Sequence, residues 1–220
     1  MGPLTKLAAI CLAGLMGLLC LLGVRSCYRV VFRPAATPAA PSAPISAPSV
    51  EADAREWADP IAALSALTDF QKLSTLSSQS RAINPRVKKI LYWLYAAEQK
   101  GIEPGQAIDK AFAANGNAGS RKAVEAKAQT LVNYRTAKLW GLFTLESLPK
   151  LRRGEEVQLT RGTYVGQFIE IDHIVPLARY PEFANDLANL QLLPQSQNRT
   201  KSDRMGAVEY AKLKELQGSR

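Results

Sequence analysis

The first 58 residues of this 220-residue chain are not expected to contribute to a globular core. Residues 7–24 form a run of 18 residues without a charged side chain. An α-helix rises about 1.5 Å per residue and the hydrocarbon of a bilayer is about 30 Å thick, so this run is near the lower limit for a spanning helix. Residues 34–48 are almost entirely Pro, Ala and Ser, a composition that stays extended. Any folded domain is therefore expected to begin near residue 59.

Several interpretations of the apolar run at residues 7–24 stay open. We favour a single spanning helix or an uncleaved signal anchor, because no small-x-small cleavage site closes the run. A cleaved signal peptide, which would leave the protein in the periplasm or the medium, is the second interpretation. A lipoprotein signal ending at Cys27 is the third, although Arg25 argues against it, and a buried core helix fits poorly beside the Pro/Ala/Ser segment. Arg25, Arg29 and Arg33 would tend to hold the following chain in the cytoplasm, so the side of the membrane is open.

Composition limits the kinds of site that the folded part can contain. The three cysteines, Cys11, Cys20 and Cys27, lie in or beside the apolar run, so the rest of the chain has no disulfide framework and no Cys-based zinc site. The net charge is +9, of which the first 50 residues supply +4 and the remaining 170 supply +5 (24 basic minus 19 acidic residues). That basic excess is compatible with a polyanion such as DNA and does not prove one. Nothing in the sequence indicates a small organic cofactor.

From Asp59 to about residue 140 the spacing of apolar residues predicts helices. Asp59-Pro60 resembles an N-cap followed by a first-turn proline, and Asn84-Pro85 repeats that signal. Further helices are predicted over residues 104–114 and 120–140. In the helix predicted over residues 120–140, the inward positions are expected to be Ala123, Ala126, Leu131, Tyr134 and Leu139. The aromatic residues that we assign to the core or to grooves, rather than to base stacking, are Tyr92, Trp93, Tyr95 and Trp140.

After Gly154 the period of the pattern changes from helix to strand. A hairpin is predicted over residues 155–171, with a bulge at Gly166. Glu170 lies between two isoleucines and is interpreted as an outward strand residue. The remaining elements are a strand over residues 190–193 and helices over residues 195–204 and 208–216.

Four polar residues follow in an order that suits metal-assisted hydrolysis of a phosphodiester. Asp172 and His173, the chain's single histidine, end the hairpin; Asn189 comes 16 residues after the histidine and Asn198 nine residues after that. A carboxylate and a carboxamide oxygen can hold a divalent metal. An imidazole with a pKa near 6.5 can take a proton from water at neutral pH.

The segment over residues 168–203 resembles the HNH endonuclease family, in the variant with Asn at the third motif position. The resemblance is carried by Asp172-His173, Asn189 and Asn198 in order and spacing. The apolar frames DHIVPL and NLQLLP and the Asn-x-x-Lys ending are typical of the family. It implies a ββα-metal core, with two strands and a helix around one cation.

The resemblance also implies a role for each residue. His173 would be the general base, and Asp172 and Asn198 would coordinate one divalent metal ion, Mg²⁺ or Mn²⁺. Asn189 would tie down the loop so that His173 stays aimed. The residues expected to contact flanking phosphates are Lys201, Arg199 and Arg204.

Each of these residues also has a purely structural interpretation. His173 fits a half-buried structural histidine, Asp172 a turn residue, and Asn189 a loop cap. Lys201 fits a solvated helix residue. The basic residues before the hairpin also have two interpretations: they contact the phosphates of a nucleic acid, or they form an ordinary solvated surface. These residues are Lys150, Arg152, Arg153 and Arg161.

The sequence predicts a mainly helical α+β fold with an N-terminal transmembrane helix. Its parts are the anchor with its basic flank (1–33), the linker (34–58), a helical section (59–154) and the HNH core (155–220). The leading function is a membrane-tethered or exported metal-dependent DNA endonuclease of low sequence specificity, with RNA left open as a substrate. The alternatives are an inactive membrane-anchored nucleic-acid-binding or scaffold protein, and a secreted antibacterial nuclease toxin.

Overall fold

The computed structural model describes residues 59–77 and 83–219, which form a mainly helical α+β fold with a two-stranded sheet. No helix within those ranges is long and apolar enough to cross a membrane. The predicted spanning segment at residues 7–24 and the linker at 34–58 lie outside the described residues. In chain order the elements are α1 (Pro60–Thr68), α2 (Phe70–Ser74), α3 (Ile83–Gln99), α4 (Pro104–Ala114), α5 (Arg121–Leu139), α6 (Ser147–Arg153), β1 (Ile169–His173), β2 (Leu190–Pro194), α7 (Gln195–Lys201) and α8 (Ala207–Gly218).

At the N-termini of two predicted helices, α1 and α5, a side chain accepts a hydrogen bond from a backbone N–H of the first turn. Asp59 Oδ1 accepts a hydrogen bond from the backbone N–H of Ile61 at 3.0 Å, ahead of Pro60 in the first turn of α1. Ser120 Oγ accepts from the backbone N–H of Ala123 at 3.1 Å and starts α5. The predicted bounds of α4 are confirmed. The Asn84-Pro85 signal lies inside the first turn of α3 rather than at its N-cap.

The helical section packs around α3, whose inward face is apolar along its length. Helices α1, α4 and α6 all contact α3, and α5 packs on α4. Tyr92 and Trp93 are 5% and 9% exposed, so their assignment to the core is confirmed. Leu139 was wrongly predicted to point inward and is 74% exposed. It follows buried Tyr134 by five residues, which turns it about 140° away from that face of the helix.

Helix α6 was not predicted, because its basic residues resembled a surface flank. It ends at Gly154, which adopts φ +80. A Cβ atom at that position would lie 2.8 Å from the backbone oxygen of Pro85. Glycine is therefore required both by the left-handed turn and by the close approach of the chain to the start of α3.

The sheet is an antiparallel pair in which Asp172 is opposite Gln191 and His173 is opposite Leu190. Ile169 and Ile171 of β1 face the hydrophobic core, as do two leucines of β2. The predicted hairpin before β1 is only partly present. Gln158 and Phe168 form an isolated bridge and Gly166 has φ +85, but the first arm is not a strand.

The loop between β1 and β2 contains two short 3-10 turns, Pro181–Phe183 and Leu187–Asn189. Its apolar residues Val175 and Phe183 pack against Leu213 and Leu216 of α8 in a second, smaller core. Helix α7 ends at Lys201, three residues before the predicted end, and Ser202 turns the chain with φ 52. Helix α8 thus holds the loop that surrounds the predicted site.

Candidate functional site

The outer face of β1 carries two acidic side chains. Glu170 and Asp172 alternate with buried Ile169 and Ile171, so both carboxylates project away from the core. Helix α7 contacts both strands. The prediction that Glu170 points outward from the core is confirmed, and Asn198 of α7 contacts its side chain and leaves it half-buried.

Helix α7 places two side chains, one turn apart, against those two acids. Asn198 Nδ2 donates to Glu170 Oε2 at 2.6 Å. Lys201 Nζ lies 3.0 Å from Asp172 Oδ2, with the two side chains 14% and 12% exposed. Lys201 Nζ also donates to the backbone oxygen of His173 at 2.7 Å. The lysine that was expected to contact phosphate therefore provides Asp172 with a counter-ion and ties α7 to the end of β1.

Asp172 has a further partner that sequence reasoning missed. Gln191 is its cross-strand neighbour, and Gln191 Nε2 donates to Asp172 Oδ2 at 2.9 Å. The signal that could have revealed it is the strand register. Pairing His173 with Leu190 puts Gln191 opposite Asp172 on the same face of the sheet.

His173, the last residue of β1, is held through one ring nitrogen. Its Nε2 lies 2.8 Å from the backbone oxygen of Ala184. A carbonyl oxygen only accepts, so Nε2 carries the hydrogen in this contact. In the neutral ring the basic lone pair then belongs to Nδ1.

Asn189 is fully buried and joins two parts of the loop that surrounds His173. Its Oδ1 accepts from the backbone N–H of Val175 at 2.7 Å. Its Nδ2 donates to the backbone oxygens of Val175 at 3.1 Å and Phe183 at 3.3 Å. Phe183 precedes Ala184, whose oxygen holds the histidine ring. Asn189 thus stabilises the backbone that positions His173.

Asp172, His173 and Asn198 line one cavity of about 300 Å³. Asn84 lines it from the first turn of α3. Asn84 Oδ1 is buried and has no hydrogen-bond partner among the described residues. Sequence reasoning used Asn84 only as a helix-start signal. Asn84 therefore adds a carboxamide to the residues that line this cavity.

Residues 158–207 match the model of the HNH endonuclease family. The chain carries an HNH endonuclease domain. The match takes in β1, the loop, β2 and α7, and it covers less than a quarter of the chain. No curated protein and no solved structure matched this chain.

The polar residues of the HNH cavity suit a hard divalent cation. Asp172 offers a carboxylate and Asn198 a carboxamide oxygen, which are ligand types that Mg²⁺ and Mn²⁺ prefer. Asn84 offers a further carboxamide among the residues that line this cavity. Asp172 and Asn198 therefore fit the metal that the HNH family implies. No group of three or more His, Cys, Asp or Glu residues suited to a metal was found in the part of the chain that the structure describes.

Much of the basic run before the HNH core has partners within the protein. Lys150 pairs with Glu146 at 2.7 Å and Arg153 with Glu155 at 2.6 Å. Both pairs are exposed, and hydrogen bonds from their basic partners lower the pKa of each glutamate. The guanidinium of Arg152 lies 6.0 Å from the ring of Tyr92. These contacts favour the soluble-surface interpretation of this run.

The predicted phosphate contacts on α7 and beyond it differ in exposure. Arg199 and Arg204 are exposed, whereas Lys201 is mostly covered. Arg204 Nε donates to the backbone oxygen of Lys201 at 3.2 Å, which leaves its other guanidinium nitrogens to act as donors. Arg199 and Arg204 thus remain the accessible cations of the predicted set.

Proposed function

We propose that this protein is a metal-dependent endonuclease that hydrolyses DNA phosphodiester bonds at the cavity between β1 and α7. The observation that carries the proposal is the position of His173. Its Nε2 lies 2.8 Å from the Ala184 oxygen, and His173 lines one cavity together with Asp172 and Asn198. An imidazole base, a carboxylate and an amide in one cavity are the groups that hydrolysis of a phosphodiester needs.

His173 takes the proton of the attacking water at Nδ1. The water oxygen attacks phosphorus, the bond from phosphorus to the 3′ oxygen breaks, and the departing 3′ oxygen takes a proton from solvent water. The products are a 5′-phosphate and a 3′-hydroxyl, as the family resemblance implies. The Ala184 oxygen continues to accept from Nε2–H while the ring is positively charged, which stabilises the imidazolium.

Asp172 and Asn198 are the residues that would hold the cation. When bound, a divalent metal stabilises negative charge on the phosphate and on the departing oxygen. Gln191 and Lys201 keep the Asp172 carboxylate in a fixed orientation through contacts at 2.9 Å and 3.0 Å. Asn189 keeps the loop closed around the base.

DNA is the proposed substrate because the chain is basic overall and two exposed arginines, Arg199 and Arg204, directly follow the cavity-lining residues Asn198 and Asp203 in the sequence. The sequence contains no recognisable module that reads bases, which favours low sequence specificity. Exposed guanidinium groups bind phosphate regardless of sequence. Binding should therefore weaken steeply as salt increases.

The test uses the 220-residue chain purified in detergent, with supercoiled plasmid and Mg²⁺ or Mn²⁺. We expect nicked and then linear DNA, no cleavage in EDTA, and no cleavage by His173→Ala. A folded His173→Ala variant that cleaves like the wild type would reveal a contaminating nuclease or a different base. A wild-type protein that cleaves neither DNA nor RNA with either metal would leave the inactive scaffold as the better proposal.

We also propose that the nuclease is anchored to a membrane through residues 7–24. The support is the charge-free run itself and the lack of a convincing cleavage site. The protein should fractionate with membranes from its native host and retain its N-terminal segment by intact mass. A mature N-terminus downstream of Cys27, with free protein in the periplasm or medium, would replace the anchor with a secreted nuclease.

A further inference from the structure

The Asn198 side chain contacts a carboxylate, and this contact fixes which end of its amide faces the cavity. An amide group has a donor end and an acceptor end of nearly the same shape. The oxygens of an ionised carboxylate only accept, so the end of Asn198 that lies 2.6 Å from Glu170 Oε2 is Nδ2. Oδ1, the end that can bind a cation, is therefore directed away from Glu170.

Glu170 is itself held firmly by the strand. Its neighbours Ile169 and Ile171 are buried in the core, and its backbone lies opposite Leu193 in the sheet. The strand therefore fixes the backbone of Glu170, and the 2.6 Å contact with Asn198 Nδ2 places its carboxylate against α7. Rotating the Asn198 amide would bring Oδ1 against that carboxylate, which is electrostatically unfavourable.

A buried lysine outside the matched HNH segment interacts electrostatically with this carboxylate. Lys88 of α3 is only 8% exposed. Burial lowers the pKa of Lys88, whereas attraction by Glu156 and Glu170 acts in the opposite direction. Lys88 lies one turn after Asn84, which lines the catalytic cavity.

We propose that Glu170 is a positioning residue that orients the Asn198 amide so that Oδ1 faces the cation site. The inference rests on the proposed function, because it assigns Asn198 as a ligand. It gives Glu170 a task that the sequence analysis assigned to no residue.

The decisive substitution is Glu170→Gln, which keeps the shape and can place either a donor or an acceptor against Asn198. Both orientations of the Asn198 amide then become accessible. The matched control is Glu156→Gln, which removes the same charge from the other acid that attracts Lys88. Glu156 is exposed and forms no hydrogen bond with Asn198.

Metal binding is measured on the 220-residue chain by titration calorimetry with Mn²⁺ and no DNA. Losing a residue that orients a ligand typically costs about 10–100-fold in metal affinity. We expect Glu170→Gln to weaken Mn²⁺ binding by about tenfold, at the low end of that range, and to raise by a similar factor the Mg²⁺ concentration for half-maximal cleavage. Glu156→Gln should stay close to wild type in both. Equal Mn²⁺ affinity in the two variants would overturn the proposal.

A second measurement observes the wild-type protein itself. The side-chain amide protons of Asn198 are recorded by nuclear magnetic resonance in the wild type and assigned by their loss in Asn198→Asp. One amide proton should be shifted downfield and protected from exchange by its bond to Glu170, and two freely exchanging protons would overturn the proposal. Neither this measurement nor the calorimetry needs cleavage. A wild type that cuts nothing but binds Mn²⁺ more tightly than Glu170→Gln would contradict the proposed function and leave this inference standing.

Discussion

Replacing Asn189 with alanine should destabilise the protein far more than a typical loop substitution. The change removes three hydrogen bonds of 2.7, 3.1 and 3.3 Å from a fully buried side chain. Each is worth about 1 kcal/mol net, and the buried backbone N–H of Val175 is left without an acceptor. We therefore expect the free energy of unfolding to fall by about 3 kcal/mol.

The same substitution should also affect catalysis in the molecules that stay folded. Asn189 holds the backbone oxygen of Phe183, and the next residue, Ala184, holds the ring of His173. A loosened loop lets the base move, and a displacement of about 1 Å can cost about 10²-fold in rate. Cleavage per folded molecule should fall by at least about tenfold.

Urea unfolding followed by tryptophan fluorescence measures the change in the free energy of unfolding. With a slope of about 2 kcal/mol per M, a loss of about 3 kcal/mol lowers the midpoint by about 1.5 M at an unchanged slope. The matched control is Asn185→Ala in the same loop, which removes one bond of 2.7 Å to the backbone oxygen of Leu76. This control substitution should lower the free energy of unfolding by about 1 kcal/mol. If Asn189→Ala lowers the free energy of unfolding no more than Asn185→Ala does, the hydrogen bonds of Asn189 do not stabilise the loop as predicted.

Three further substitutions test the chemistry of the site. His173→Ala should lower the cleavage rate by about 10²–10⁴-fold, and a folded variant within about threefold of wild type would remove His173 from the mechanism. Asp172→Asn and Asn198→Ala should each raise the Mg²⁺ concentration needed for half-maximal cleavage; unchanged titration curves in both would place the cation elsewhere. Arg199→Ala should reduce the slope of log affinity against log salt by about 0.9 on duplex DNA, and an identical slope would show that Arg199 does not contact phosphate.

Local sequence signals predicted the order of the elements well. Caps such as Asp59 and Ser120 act within one turn, so the start of a helix can be predicted without knowing what the helix packs against. Helix α6 shows the limit of that method. Glu146, at its N-cap position, makes no side-chain cap bond, and its basic residues hid the buried position of Leu151.

The partners within the site could not be predicted in the same way. The spacing of Asp172 and Asn198 indicates which residues share a site, because strand and helix periods are local properties. Which acid receives Asn198 and which receives Lys201 depends on how α7 lies across the sheet. The contribution of Asn84 depends on the packing of α3, which no motif in the HNH segment encodes.

The buried amide of Asn133 has a consequence for moving this nuclease core between proteins. Its Nδ2 donates to the backbone oxygen of Leu190 at 2.8 Å, and its Oδ1 accepts from the backbone N–H of Leu192 at 3.3 Å. One side chain of α5 therefore occupies the place that a third strand would take beside β2. A fragment limited to residues 158–207 would expose these groups as an open strand edge, which invites pairing between chains. Residues 158–207 should therefore not be transferred to another protein alone. A transferred segment has to include α5 or an equivalent amide.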